Sequence, residues 1–442
     1  MRQIEREVLS RIKPSAQEDR RMTKAVAKLS EAVRAAAAEI GAHIELKLVG
    51  SVAKGTHMKD PDIDLFMMFP ESTPPEELRD KGLEIGRKVL GGEEHYAQHP
   101  YIRGAYDGYQ VDLVPCFLVK DPQKKMSAVD RTPFHTEFVA DNLERSLHDH
   151  VRLLKRFMKG IGCYGAEAKT QGFSGYLCEL LVMRFGDFDS VLKAASEWTM
   201  GQALALPEYP GIEFSESLTF VDPIDSGRNV ASAVSPASMM TFMKAARAYM
   251  KKADLRFFYP REQKNWDVER IREEAGERIE SFLVVSFEKL DLIDDVLYPQ
   301  LRKSIVSMTS LLRRNDFEVV RTGMDVHSTV DVLIEVESME LPRERIHKGP
   351  PVNSPNSQEF LSKWDAAGLS KPFKEDGRWF VVVERRHRRA DGLLRESISS
   401  LTLGKDIRKI QSFEIASGKQ LLTNRYARLL TEYLDERMPW ER

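Results

Sequence analysis

The sequence predicts an α+β protein of several domains, and three observations carry that prediction. The 442 residues correspond to about three domains at roughly 150 residues each. The apolar pattern is mixed α/β over the first 120 residues, helical from about Asp141 to Met200, and mixed α/β again from about Phe282. Asp107-Gly108 sits between two β-type runs, which marks a two-residue hairpin.

The elements follow in order. Residues 16–40 carry apolar side chains at helical spacing (Val26, Leu29, Val33, Ala37), and Gly41 is the stop. A β-type run over 43–49 ends at Gly50-Ser51, and a short helix is expected over 52–58. The apolar run 63–69 is a second strand, closed by Pro70. Pro74-Pro75 open a helix that Gly91-Gly92 end. Strands over 101–106 and 109–114 flank the Asp-Gly turn. Helices are expected over about 144–159, 174–185 and 236–251, with a loop over 201–220. Further on, 281–287, 330–336 and 379–384 read as strands and 297–315 as a helix. The Gly/Pro/Ser/Asn-rich stretch 347–357 reads as a loop.

Composition narrows the function classes. Hydrophobic residues are 42% and charged residues 30%, with 66 Lys and Arg against 68 Asp and Glu. The net charge of −2 excludes a chain coated in positive charge, although charge segregated on one face still allows nucleic-acid binding. Cys116, Cys163 and Cys178 are odd in number and far apart, without zinc spacing. A reducing compartment is the expectation. The first residues, MRQIEREVLSRIKPSAQEDRR, lack the apolar core of a signal peptide. No apolar run approaches the ~20 residues that span a bilayer. A cytoplasmic protein is expected.

The chemistry concentrates on acids. Asp62 and Asp64 stand at i and i+2 of a strand start, so their side chains share a face. Like charges that close repel unless a cation lies between them. Hard oxygen donors of this kind suit Mg²⁺. Asp112 lies mid-strand between Val111 and Leu113, where a lone buried carboxylate is costly unless paired or metal-bound. Gly50-Ser51, with Lys54 nearby, passes from a strand into a helix start whose free N–H groups can cradle an anion. Singly, each feature has a plain structural reading: a solvated turn, a hydrogen-bonded Asp, an N-capped turn. Together they point to a two-metal phosphoryl-transfer site.

The pattern Gly50-Ser51, Asp62-x-Asp64 and a distant strand Asp112 resembles the nucleotidyltransferases with a polymerase-β-type palm. The segments 129–135 (VDRTPFH), 151–155 (VRLLK), 163–167 (CYGAE), 172–179 (GFSGYLCE), 221–223 (VDP), 228–231 (RNVA) and 297–301 (LYPQL) resemble the archaeal, class I CCA-adding enzymes. The likeness is dense to about residue 301 and thinner beyond. It implies template-independent addition of C, C and A to the 3′ end of tRNA from CTP and ATP, releasing pyrophosphate. It implies a nucleotidyltransferase head with a mixed-sheet palm over 1–142, a helical neck over 143–260, and α/β body and tail domains over 261–442. A homodimer is also implied.

Residue by residue, the resemblance makes Asp62, Asp64 and Asp112 the ligands of two Mg²⁺ ions, with Asp112 also placed to take the hydroxyl proton. It makes Gly50, Ser51, Lys54, His135, Lys155 and Tyr164 nucleotide-binding, and Arg228 the reader of the base edge. Some relatives carry Arg in place of Lys54 and Glu in place of Asp62, which keeps the charge. A salt bridge from Arg228 to Asp222 or Asp225 is the competing reading. Arg152, Lys155, Arg156 and Lys159 form one basic helical face, of which Arg156 and Lys159 read as solvated. Arg385, Arg386, Arg388 and Arg389, in an Arg-rich stretch with Trp379 and Phe380, are the candidate surface for the tRNA backbone. A salt-bridged loop is the alternative there. Rival functions are a poly(A) polymerase or another terminal nucleotidyltransferase, a non-catalytic RNA-binding module, and a small-molecule nucleotidyltransferase.

Overall fold

The run Leu65-Phe66-Met67-Met68-Phe69 has no polar face, and every one of its side chains is buried. That is what a strand covered on both sides demands. The computed structural model that contains it describes residues 1–96, 100–121, 127, 129–206, 211 and 213–442. The chain divides into one unit of Met1–Glu262 with Arg437–Arg442 and a second of Gln263–Glu436.

The first unit begins with α1 (Gln3–Ile12) and α2 (Ala16–Glu39), followed by β1 (Glu45–Val49), α3 (Gly50–Ala53), β2 (Ile63–Pro70), α4 (Pro75–Leu90), β3 (Glu93–Tyr96), β4 (Pro100–Tyr106) and β5 (Tyr109–Leu118). The charged N-terminus gave no expectation of α1, yet Val8, Leu9 and Ile12 make a buried stripe along it. A capping box starts α2: Ser15 Oγ accepts from Glu18 N, and Glu18 reaches back to Ser15 N. The sheet order is β1-β2-β5-β4-β3, with β2 and β5 parallel and the other pairs antiparallel. Positive φ at Asp107 and Gly108 gives the two-residue turn between β4 and β5. Odd-numbered β2 residues (Ile63, Leu65, Met67, Phe69) join α2 and α4 in one core. Phe66 and Met68 cover the opposite face with Val49, Val114 and Cys116. The helix expected over 52–58 is only the single turn α3.

The unit continues through α5 (Thr132–Asn142), α6 (His148–Gly160), α7 (Gly175–Phe185), α8 (Phe188–Glu197), β6 (Gln202–Leu204), β7 (Leu218–Asp222), β8 (Asp225–Asn229) and α9 (Pro236–Lys251). Phe157 of α6 centres an aromatic core with Phe188, Phe242, Tyr249, Phe257 and Phe258. The expected loop over 201–220 is corrected. It holds β6 and the start of β7, and β7 is buried throughout because β6 and β8 flank it in a small sheet. Residues 207–210 and 212 of that stretch lie outside the described residues.

The second unit comprises α10 (Val268–Ala275), β9 (Phe282–Glu288), α11 (Asp294–Arg314), β10 (Val319–Val326), β11 (Thr329–Val336), β12 (Glu344–Pro351), α12 (Ser357–Ala367), β13 (Phe373–Glu375), β14 (Arg378–Glu384), α13 (Ala390–Ser397), β15 (Glu414–Ser417) and α14 (Ala427–Leu434). The sheet β10-β11-β9-β15 is covered on both sides. Leu283, Val285 and Phe287 face α11 and α13, while Phe282 and Val284 face α10 and α14. A second sheet, β12-β14-β13, carries α12 through Phe360, Val381 and Val383. The loop expected over 347–357 is corrected as well. Its first residues belong to β12, whose Pro350-Pro351 end is tolerated because β12 is an edge strand. No helix among the described residues is long and apolar enough to cross a membrane.

Candidate active site

The sheet of the first unit gathers the acids. Asp64 and Asp112 are register partners on the parallel pair β2 and β5. By strand parity they share the face that carries Phe66, Met68, Val114 and Cys116. Asp62 precedes β2 and is exposed, whereas Asp112 is buried. Val49 pairs with Asp64, so the next residue, Gly50, runs against the Asp64 carboxylate. A Cβ on Gly50 would lie 2.1 Å from Asp64 Oδ2, and its φ is +71°. Only glycine meets both conditions.

The electrostatics are those of a crowded anion site. Burial, then the charges of Asp112 and Asp62, push the Asp64 carboxyl up to about 7. Burial also raises Asp112, against the pull of Arg103. Arg103 Nε donates to Asp112 Oδ1 at 2.8 Å, and Arg103 Nη2 to Asp62 Oδ2 at 3.3 Å. Among the described residues no three His, Cys, Asp or Glu side chains are arranged to enclose a metal ion. The donor set nevertheless fits a divalent cation. It offers hard carboxylate oxygens from three residues, a guanidinium already bridges two of them, and the third carboxyl is raised by burial and by the charges of the other two despite Lys54 and Arg103 nearby.

Beside the acids is a cleft of about 310 Å³. Five sequence-predicted residues line it: Ser51, Asp62, Asp64, Lys155 and Tyr164. Lys59 and Lys159 line it too; Lys159 is exposed, as its solvated reading expects, and borders the cleft as well. Lys159 also stands 5.1 Å over the Tyr164 ring. Burial pushes the Tyr164 phenol well up, so it keeps its proton.

Lys54 and Lys155 are both drawn to Glu179 of α7, which is wholly buried. Lys54 Nζ donates to Glu179 Oε2 at 2.5 Å, and Lys155 Nζ to Oε1 at 2.9 Å. Thr56 Oγ1 adds a bond to Oε1 and receives one from Lys155. Burial opposes the charged form of Glu179, yet Lys155 and Lys54 outweigh it and hold the carboxyl far below its ordinary range. Lys54 therefore does not stand free at the anion cradle as expected, because a buried carboxylate requires neutralisation.

His135 and Arg228 meet at Asp222 on β7. His135 Nε2 donates to Asp222 Oδ2 at 2.9 Å, and Arg228 Nη1 donates to the same oxygen at 2.8 Å. The salt bridge weighed against base reading for Arg228 thus exists here. Burial lowers the His135 pKa more than Asp222 raises it, so the imidazole is neutral. Tyr176 joins the two clusters: its ring lies 4.2 Å from His135 and 5.8 Å from Lys54 Nζ.

The four C-terminal arginines lie in the second unit. Arg385 bonds Asp316, Arg388 bonds Glu340, and Arg389 makes a two-point bond to Asp391. The salt-bridged reading holds for these three. Arg386 is exposed, with no such partner among the described residues.

Sequence reasoning missed Arg103, Glu179 and Lys59, and named Asp222 only as a salt-bridge partner of Arg228, not as the partner of His135. Arg103 had a signal. A two-residue turn pairs Tyr106 with Tyr109, and three steps back along each arm pair Arg103 with Asp112. Glu179 and Asp222 stood inside the quoted segments 172–179 and 221–223.

Three family models match in succession: a nucleotidyltransferase domain over residues 27–135, the second domain of tRNA nucleotidyltransferase over 149–259, and the C-terminal domain of CCA-adding enzyme over 278–418. A CCA-adding enzyme of Methanosarcina acetivorans is 39% identical, covering 94% of this chain and 93% of that one. One of Thermoplasma volcanium is 37% identical over 95% of each. One of Halobacterium salinarum is 39% identical over 94% and 92%.

Proposed function

This chain belongs to the CCA-adding enzyme family, and on that premise we propose how its own residues add C, C and A to the 3′ end of tRNA from CTP and ATP. The observation that carries the proposal is the pairing of Asp64 with Asp112 on adjacent parallel strands, with the Gly50 backbone against the Asp64 carboxylate. In this reading 1–142 is the catalytic head, 143–260 the nucleotide-binding neck, and 261–442 the tRNA-binding body and tail.

Asp62, Asp64 and Asp112 would hold two Mg²⁺ ions, and that pair would supply Lewis-acid activation of the tRNA 3′ hydroxyl and charge neutralisation of the triphosphate and pyrophosphate. Asp112 receives the hydroxyl proton at Oδ2, since Arg103 holds Oδ1. Gly50 N, Ser51 and Lys155 grip the triphosphate along the cleft, with Lys54 behind them. Tyr164 donates its phenol proton to phosphate or ribose. His135 and Arg228, oriented on Asp222, form the nucleotide-facing pair, and Arg228 reads the base edge. Such an enzyme works in the cytoplasm, and the family likeness supports a homodimer.

The test is tRNA lacking its last three nucleotides, offered each nucleoside triphosphate alone and in mixtures. CTP alone is expected to add two residues, and ATP then one, after which extension stops. Asp112→Ala is expected to abolish incorporation while the melting temperature stays near wild type. An open-ended A tail would overturn the assignment in favour of a poly(A)-type polymerase.

A further inference from the structure

Arg103 lies on β4 directly across from Asp112 on β5. Its two nitrogens do not grip one carboxylate in the usual fork. They link two carboxylates from separate segments, Asp112 through Nε at 2.8 Å and Asp62 through Nη2 at 3.3 Å. The two contacts differ in environment. The Asp112 side chain is 12% exposed and that of Asp62 is 56% exposed. A short, shielded ion contact holds, while a long one facing solvent exchanges readily. The guanidinium also occupies ground that any cation bound to Asp62 and Asp112 must share.

We propose that Arg103 is a positioning residue of the carboxylate site: it is the resting counter-ion that ties Asp112 to Asp62, and a divalent cation binds in competition with its Asp62 contact. The inference rests on the reading of Asp62, Asp64 and Asp112 as metal ligands. Arg103 keeps Asp112 Oδ1 throughout, which fixes the carboxylate with Oδ2 turned free. Its hold on Asp62 keeps the exposed carboxylate aimed at the other two until the cation arrives. Neutralising Arg103 removes a competing charge at contact distance and strengthens cation binding.

The experiment measures Mn²⁺ binding to the full chain without nucleotide or tRNA, counting free Mn²⁺ by electron paramagnetic resonance. Arg103→Gln is expected to tighten Mn²⁺ binding by roughly 3- to 10-fold. Arg103→Lys keeps the charge without the fork and is expected to stay within about twofold of wild type. In EDTA, Arg103→Gln should melt below wild type, and Mn²⁺ should raise its melting temperature by more. Arg103→Gln that binds Mn²⁺ no tighter than wild type overturns the inference, as does Arg103→Lys that tightens as much as Gln. Asp64→Asn separates the two levels: Mn²⁺ binding that survives it intact sinks the metal-site reading itself, and the role of Arg103 with it.

Discussion

Asp64 is a residue whose charge folding strongly perturbs. Its ordinary carboxyl value is 3.8, and in the folded chain burial, Asp112 and Asp62 raise it to about 7. Between those values the folded state holds a proton that the unfolded state has lost. The contribution of Asp64 to metal-free stability therefore falls as pH rises from about 4 to 7 and levels off above. Asp64→Asn removes that fall. At pH 8 in EDTA the variant is expected to be more stable than wild type by about 2–4 kcal/mol, with the gap closing towards pH 4. Denaturant unfolding at the two pH values checks it, and an equal gap at both contradicts it. The acids were legible in the sequence because strand parity is a local property that fixes which residues share a face. Asp222 and Glu179 were not legible as hubs. Glu179 meets Lys54 from 125 positions away, and no local pattern encodes such a meeting.

At the scale of the element, α6 shows how one basic face divides on folding. The sequence places Arg152, Lys155, Arg156 and Lys159 together by spacing, and they do lie on one helix. Their surroundings then separate them. Arg152 is buried and donates to the carbonyls of Gly55 and His57, which pins the segment leading into the cleft. Lys155 joins Glu179, Arg156 stacks 4.1 Å over the Tyr259 ring, and Lys159 reaches the cleft. Spacing defines a face but not what covers it. Glu179→Gln leaves the buried ammonium groups of Lys54 and Lys155 without a counter-charge. Urea unfolding is expected to show a loss of about 3–5 kcal/mol, and Glu179→Gln combined with Lys54→Met to recover part of it. Wild-type stability in the single variant would mean that the network is not charged. The edge strand β12 was misread for a related reason: Gly349, Pro350 and Pro351 look like a loop until a partner strand, β14, is known to lie beside them.

For the whole molecule, the sequence showed the alternation of mixed, helical and mixed segments, and the fold keeps it. What it could not show is the division into two units in which Arg437–Arg442 group with Met1–Glu262. The arginine cluster belongs wholly to the second unit, and its members should differ in effect. Arg386→Glu is expected to weaken tRNA binding and to reduce the slope of log affinity against log salt by about 1, with CTP binding unchanged. Arg389→Glu places a second negative charge beside Asp391, so its main effect should be a lower melting temperature. Filter binding across a salt series and thermal melts distinguish the two; identical salt slopes for Arg386→Glu and wild type would remove Arg386 from the RNA surface. The returning segment has a consequence for biosynthesis. Trp440 stacks on Phe257 at 5.3 Å, inside the aromatic core that contains Phe157. The first unit therefore cannot finish closing as it is synthesised: all of Gln263–Glu436 must emerge before Trp440 can reach Phe257, and a nascent chain stalled within that stretch leaves the core unfinished.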